Sequence, residues 1–356
     1  MKNVAIVFVI LLMHSCKPED PFFGKLAFRW APIHFQDTDD TDAKADFISR
    51  FDYDGNFDGT DNWDHLNTGD LSANVYYSVT ETSSHWYILY AFFHPRDWTD
   101  HPFDDVHEND LEGVVFIVRR DGSQFGVLDG AITVAHSDFY SFVPDGSPLR
   151  GANDEDIDGS LSFQEFGGVL RPKTAQESKG HGLKVWPHIG DFTGRPDQDG
   201  VIYFPSTSIS EIPSSGNDRS VMYKLIDLNG VGNLWTMQLF EATMQSQQAK
   251  TYNTWGNFKG DGSGGCGEGI TVVCSENGAN APWRWDDHDD GPNFDGELAL
   301  DPAAIVDYYF DGSTFSQIYT RNKYLENLKT DGFNDNFKPN GWPADLKFSE
   351  LYAKLQ

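Results

Sequence analysis

Residues 107–118 read HENDLEGVVFIV, three candidate metal ligands set directly ahead of an unbroken apolar run. In a β-strand, residues two apart point to the same face, so Asp110 and Glu112 share a face with Val114, Phe116 and Val118. Two carboxylates therefore stand at the mouth of a core. Burying them is costly unless a cation, an arginine or a set of N–H donors compensates, and His107 supplies a neutral nitrogen for the cation option. Working outward, VYYSV and HWYILYAFFH before this stretch, and GVLDGAITVA and DFYSFV after it, are β-branched and aromatic runs bounded by turn formers. The expected class is all-β: one sandwich domain with long acidic loops and a few short peripheral helices.

The N-terminus carries an export signal: Lys2, an apolar run from Val4 to Met13, then Ser15 and Cys16. The run is too short to span a bilayer. Residues 1–15 are expected to be a lipoprotein signal peptide and Cys16 the lipidated residue. The resulting expectation is an outer-membrane or cell-surface lipoprotein of a Gram-negative bacterium, held to the membrane only by its lipid; plain secretion or a periplasmic location is the alternative. The remaining organisation is a tether over 16–26, the sandwich over 27–320 and a helical C-terminal extension over 321–356. Residues 26–36 are expected to be extended, with Pro32 at an edge or bend. Cys266 and Cys274 form an even remainder that an oxidising compartment would join as a disulfide.

Lys and Arg number 26 against 55 Asp and Glu, a net charge of −29. That excludes nucleic acid as a partner and suits hydrated cations. The acid is concentrated in short Asp/Gly/Asn loops. In FDYDGNFDG, Asp52, Asp54, Asn56 and Asp58 have a spacing able to wrap a cation, with a surface loop of Asx turns as the favoured reading. The most specific motif is DEDIDGSLSFQE. It fits the calcium-loop pattern with Asp154, Asp156 and Asp158 as carboxylates, Gly159 at the turn, Ser160 through its carbonyl, Ser162 through water and Glu165 closing. Nearby glycines preclude flanking EF-hand helices, so a structural calcium loop of weak affinity, about 10⁻⁴ to 10⁻³ M, is expected inside a β-protein.

Other candidates are scattered. His181, between Gly180 and Gly182, is a candidate ligand or general base, as is His107 for proton transfer. Asp97, Asp100, His101, Asp104 and Asp105 load the loop before residue 107, and any of them could complete a coordination sphere. Trp283, Trp285 and Asp287 resemble a sugar-binding lip, with a solvated loop flanking core tryptophans as the favoured reading.

The string His107-Glu108-Asn109-Asp110-Leu111-Glu112 resembles the GHRHDWE heptapeptide of the necrosis- and ethylene-inducing-like proteins and the matching segment of the vacuolar protein sorting sixty-two-like group. The RWAP at Arg29, the Gly-His-Gly at His181, Trp255-Gly256 and the Trp283–Asp287 segment follow the same order. The resemblance implies a β-sandwich whose end cavity holds Ca²⁺ or Mg²⁺, with His107, Asp110 and Glu112 as ligands and Asp100 or Asp104 nearest to the family's upstream aspartate. In the toxin branch that site engages sugar head groups of plant sphingolipids. This chain departs at Val106, Asn109 and Leu111, which leaves toxin activity outside what the resemblance implies.

The first functional expectation is a monomeric, non-enzymatic protein that binds a glycan or lipid head group through the cation. A metal-assisted hydrolase of a polysaccharide or phosphoester is the alternative, with His107 or His181 moving the proton. A calcium-stabilised surface protein with no ligand is the third.

Overall fold

The computed structural model describes residues 21–39, 42–56, 59–99, 106–187, 200–230, 233–236, 252–254, 256–266, 274–275, 278–288, 294–339, 341–343 and 345–356. The signal segment, Cys16, Asp58, Asp100, His101, Asp104, Asp105 and Trp255 lie outside these residues.

The chain begins with helix α1, Pro21–Trp30. Phe23, Leu26, Ala27 and Trp30 are buried, the i, i+3, i+4, i+7 stripe that packs a helix onto a core. Residues 21–26 are thus part of the folded domain, where a tether was expected. The extended segment is correspondingly shorter: Pro32 follows the helix end, and strand β1 occupies only Ile33–Gln36.

The strands that follow are β2 (Asn74–Thr82), β3 (His85–Asp97), β4 (His107–Arg119), β5 (Val127–Ala135), β6 (Asp138–Val143), β7 (Arg150–Gly151), β8 (Gly159–Ser160), β9 (Phe163–Phe166), β10 (Val169–Gln176), β11 (Leu183–Val185), β12 (Val201–Ser206) and β13 (Val221–Asp227). One mixed sheet of 13 strands runs in the order β11-β10-β1-β12-β13-β2-β3-β4-β5-β6-β8, with β9 added to β10 and residues 319–321 to β2. The sheet curls until β11 lies against β4 and β5. The result is a sandwich-like all-β fold.

The long β3–β4 hairpin is buried on both faces, which is why both strands read as nearly continuous apolar runs. One face of β4, with Val114, Phe116 and Val118, packs against α1 and the β11–β13 region. The other, with Leu111, Val115 and Ile117, packs against the C-terminal third of the chain. There α2 (Pro302–Tyr309), α3 (Lys323–Thr330) and α4 (Phe348–Ala353) supply Ile305, Leu325 and Phe348 to the core. Pro302 begins α2 as its sequence predicts. Asp301, however, accepts from Tyr319 and Lys354 side chains instead of capping the helix. No described helix is long and apolar enough to cross a membrane.

Candidate functional site

The site forms where β3 ends and β4 begins, the two strands running in register with Asp97 opposite His107, His94 opposite Asp110 and Phe92 opposite Glu112. Between these pairs Asn109 has φ 60°, a value uncommon outside glycine. The break in alternation aims Glu108 at Asp261, whose N–H it accepts at 2.9 Å. Asp110 and Glu112 face the opposite side, as their spacing requires. The loop between β10 and β11, Glu177 to Gly182, then closes over them.

Asp110 sits against His181, with Nδ1 to Oδ2 at 3.0 Å, and its other oxygen accepts the Leu111 N–H at 2.8 Å. The second nitrogen of His181 lies 3.2 Å from Asp46 Oδ1, an atom that also accepts from Trp98 Nε1 at 3.1 Å and the Lys179 N–H at 2.9 Å. His181 is fully buried, and its ring stacks on His94 at 3.8 Å. Burial opposes its charge, but the bonds to Asp110 and Asp46 prevail and raise His181 to about 10. Burial likewise opposes ionisation of Asp110, and the His181 bond overcomes it, holding the carboxyl at about 2. His94 has weaker help, with Nε2 2.9 Å from Gln176 Oε1 and Asp110 nearby: burial and the neighbouring His181 charge outweigh both and keep it well below its ordinary value, hence neutral.

Glu112 is spanned by two backbone donors, His136 N at 2.6 Å and Leu183 N at 2.9 Å. Burial nonetheless pushes it well above the carboxylate range, with Asp110 and Glu177 adding repulsion. His136 is bonded to Glu177 at 2.8 Å, which with Glu112 raises it to about 10. Gly182 permits this packing, because a Cβ there would stand 2.8 Å from the Glu177 carboxylate.

His107 Nδ1 lies 2.8 Å from the Asn109 carbonyl, so that nitrogen donates and Nε2 keeps its lone pair. Nε2 lies 3.7 Å from Asp97. Burial raises Asp97 to about 7, opposed by His107 and reinforced by Asp110. Asp97 is thus a further carboxylate beside His107; Asp100 and Asp104, the expected fourth ligands, lie outside the described residues. The cross-strand partnership of Asp97 with His107 was the signal, visible only once the hairpin register is known.

The donor types are those of a hard-cation site, carboxylates from Asp97, Asp110 and Glu112 with one imidazole nitrogen from His107, but no three of their ligand atoms lie within 4.8 Å of one another as they stand. Two imidazolium groups, His181 and His136, already compensate part of the charge. Burial is the main reason that Asp97 and Glu112 are raised, with repulsion from neighbouring carboxylates adding to it.

Other expected sites are placed differently. In the loop at 154–165, Asp158 accepts the Ser141 N–H at 2.6 Å, and Ser160 lies in β8 paired with Val143. Ser162 donates to the Trp186 carbonyl, and Glu165 is exposed on β9 opposite Leu170. Asp154 and Asp156 are exposed and do not converge with Asp158 and Glu165 on a common point. Strand pairing on both sides of Leu161 stretches the motif instead of wrapping it. Trp283, Trp285 and Asp287 are also not a surface lip, being 0%, 2% and 0% exposed. Trp283 packs edge-on to Trp235, Trp285 Nε1 donates to the Leu111 carbonyl at 2.8 Å, and Asp287 accepts the Phe139 N–H and the Tyr309 hydroxyl. His181 is 0% exposed, with its ring nitrogens against Asp110 and Asp46. Cys266 and Cys274 form the expected disulfide.

Among the described residues, one set of three ligand-type side chains converges to within 4.8 Å: Asp54, Asp61 and His65. It lies in and beside the FDYDGNFDG loop, where Asp52 and Asp54 also make Asx-type bonds to Gly55 and Asn56. These groups are partly solvated, so their charges do not demand a cation.

No protein-family model and no curated protein matches the chain. Solved structures do. Necrosis and ethylene inducing protein 2 from the causal agent of cocoa's witches' broom disease is 15% identical over 58% of this chain and 74% of that one, with a TM-score of 0.26. NLPPya in complex with glucosamine is 15% identical over 75% and 86%, with a TM-score of 0.28. Non-toxic HaNLP3 is 15% identical over 47% and 71%, with a TM-score of 0.24. The likeness to these structures is one of fold alone, at 15% identity.

Proposed function

We propose that this is an exported binding protein that holds a divalent cation, Ca²⁺ or Mg²⁺, at Asp97, His107, Asp110 and Glu112, and engages a glycan or lipid head group through it. One observation carries the reading: buried Asp110 and Glu112 and the part-buried Asp97 line the open end of β3 and β4, where burial holds Asp97 and Glu112 above the carboxylate range. Removing a carboxylate from water costs several kcal/mol unless it is compensated, and a divalent ion is the most compact compensation. A cation there would keep coordination positions toward solvent, because Asp97 and His107 are each 17% exposed. Anchorage through a lipidated Cys16 is part of the proposal and would put the site where calcium is abundant.

Calcium titration of chelator-stripped protein, with metal analysis, tests the site. Wild type is expected to bind one ion that Asp97→Asn and Glu112→Gln lose and His65→Ala keeps. Loss in His65→Ala alone would move the ion to the Asp54 set and overturn the assignment. A glycan array with and without EDTA then tests the ligand: binding that ignores the chelator refutes a cation-bridged mechanism.

A further inference from the structure

A second pocket opens on the other face of the sheet. The parallel register of β13 and β2 sets Lys224 beside Asn74 and Ile226 beside Tyr76, and residues two apart share a face, so all four project together. Arg50 and Phe51 close one wall and Ser208 the other, around a cavity of about 430 Å³. That volume falls within the range of about 300–1,000 Å³ usual for small-molecule sites. Tyr76 lies on the Leu111 side of the core, whereas Asp110 and Glu112 face the α1 side. The two sites share no residue.

The lining is unusual for so acidic a chain. Lys224 makes no ion pair among the described residues, and Arg50 spends one nitrogen on Asp70 at 2.7 Å with its other donors uncommitted. Tyr76 is 3% exposed and its oxygen accepts the Phe51 N–H at 2.9 Å, while its own proton has no acceptor among the described residues. Asn74 donates to the Ser72 carbonyl and retains its side-chain oxygen. One carboxylate, Asp52, is in the wall, with an oxygen turned to the Gly55 N–H at 3.1 Å. Two cationic groups, a buried hydroxyl donor, an amide and a serine surround a ring-sized space edged by Phe51 and Ile226.

The geometry points to a binding site for a hydroxylated carboxylate of monosaccharide size, a uronic acid. Its carboxylate sits between Arg50 and Lys224, its hydroxyls meet Tyr76, Asn74 and Ser208, and its C–H face rests on Phe51. The arginine and lysine select the acid over the neutral hexose, because a carboxylate that pairs with them gains charge-assisted hydrogen bonds that a hydroxymethyl group lacks. A neutral sugar leaves Lys224 to water and Arg50 with Asp70 alone.

The test is calorimetric titration with galacturonate and with galactose in excess EDTA, where the cation site makes no contribution. Saturable galacturonate binding, about tenfold or more tighter than galactose, is expected. Lys224→Met should weaken it by a similar factor with an unchanged melting temperature, as this side chain is exposed. Ser208→Trp, which fills the cavity, should abolish it. Equal binding of the two sugars, no binding of either, or galacturonate binding unaltered in both variants overturns the assignment. Because EDTA is present throughout, none of these results bears on the cation site.

Discussion

Replacing Asp97 by Asn should stabilise the metal-free protein and remove its response to calcium. Burial raises this carboxyl from 3.8 to about 7. Three units at about 1.4 kcal/mol each give roughly 4 kcal/mol as the cost of ionising it in the folded state, an upper limit for a partly hydrated group. The sign follows from proton release. The unfolded carboxyl ionises near pH 4 and the folded one near 7, so stability falls as pH rises between them and stays lowered above. An amide removes that loss and sacrifices only the 3.7 Å pairing with His107. In urea denaturation at pH 8 with chelator, the variant should exceed wild type by some fraction of that 4 kcal/mol. With calcium at about 100 times its Kd, wild type should gain about 2.7 kcal/mol and the variant nothing. A variant less stable than wild type in chelator would refute the argument that Asp97 is an uncompensated charge. Equal calcium stabilisation of the two proteins would refute its role as a ligand.

Four further outcomes are expected. His181→Ala should cost about 3–5 kcal/mol in urea denaturation, since Asp46 and Asp110 lose the imidazolium between them. The raised pKa of His181 makes its contribution fully present below pH 6.5 and lost as pH climbs toward 10, so chelated wild type should weaken over that window and His181→Ala should show a flatter profile. Trp285→Ala should cost about 3–5 kcal/mol as a core truncation, and any glycan binding should survive in whatever fraction remains folded. Glu165→Gln should leave the calcium-induced rise in melting temperature within error, because that side chain is exposed on a hairpin.

Local rules carried part of this protein a long way. The β3 and β4 strands, the facing of Asp110 and Glu112 toward the α1 side of the core, Pro302 at the head of α2 and the Cys266–Cys274 pair follow from side-chain period, propensity, chain punctuation and cysteine arithmetic, which act over a few residues. The α1 stripe at Phe23, Leu26, Ala27 and Trp30 is equally local, and Pro32 marks the point where it gives way to extended chain.

What tertiary structure decided is who stands opposite whom. Asp97 meets His107 through hairpin register, and His181 reaches Asp110 from 71 residues away with Asp46 behind it. The motif at 154–165 fits a calcium loop residue by residue, yet pairing with Val143 and with β10 holds it extended, because a ladder of backbone hydrogen bonds overrides a local ligand pattern. Trp283 and Trp285 lie beside acids in sequence but beside Trp235 and Leu111 in space. Sequence spacing selects the face a side chain takes on its own strand; the sheet's curl selects what that face meets, and buried charge is governed by the second.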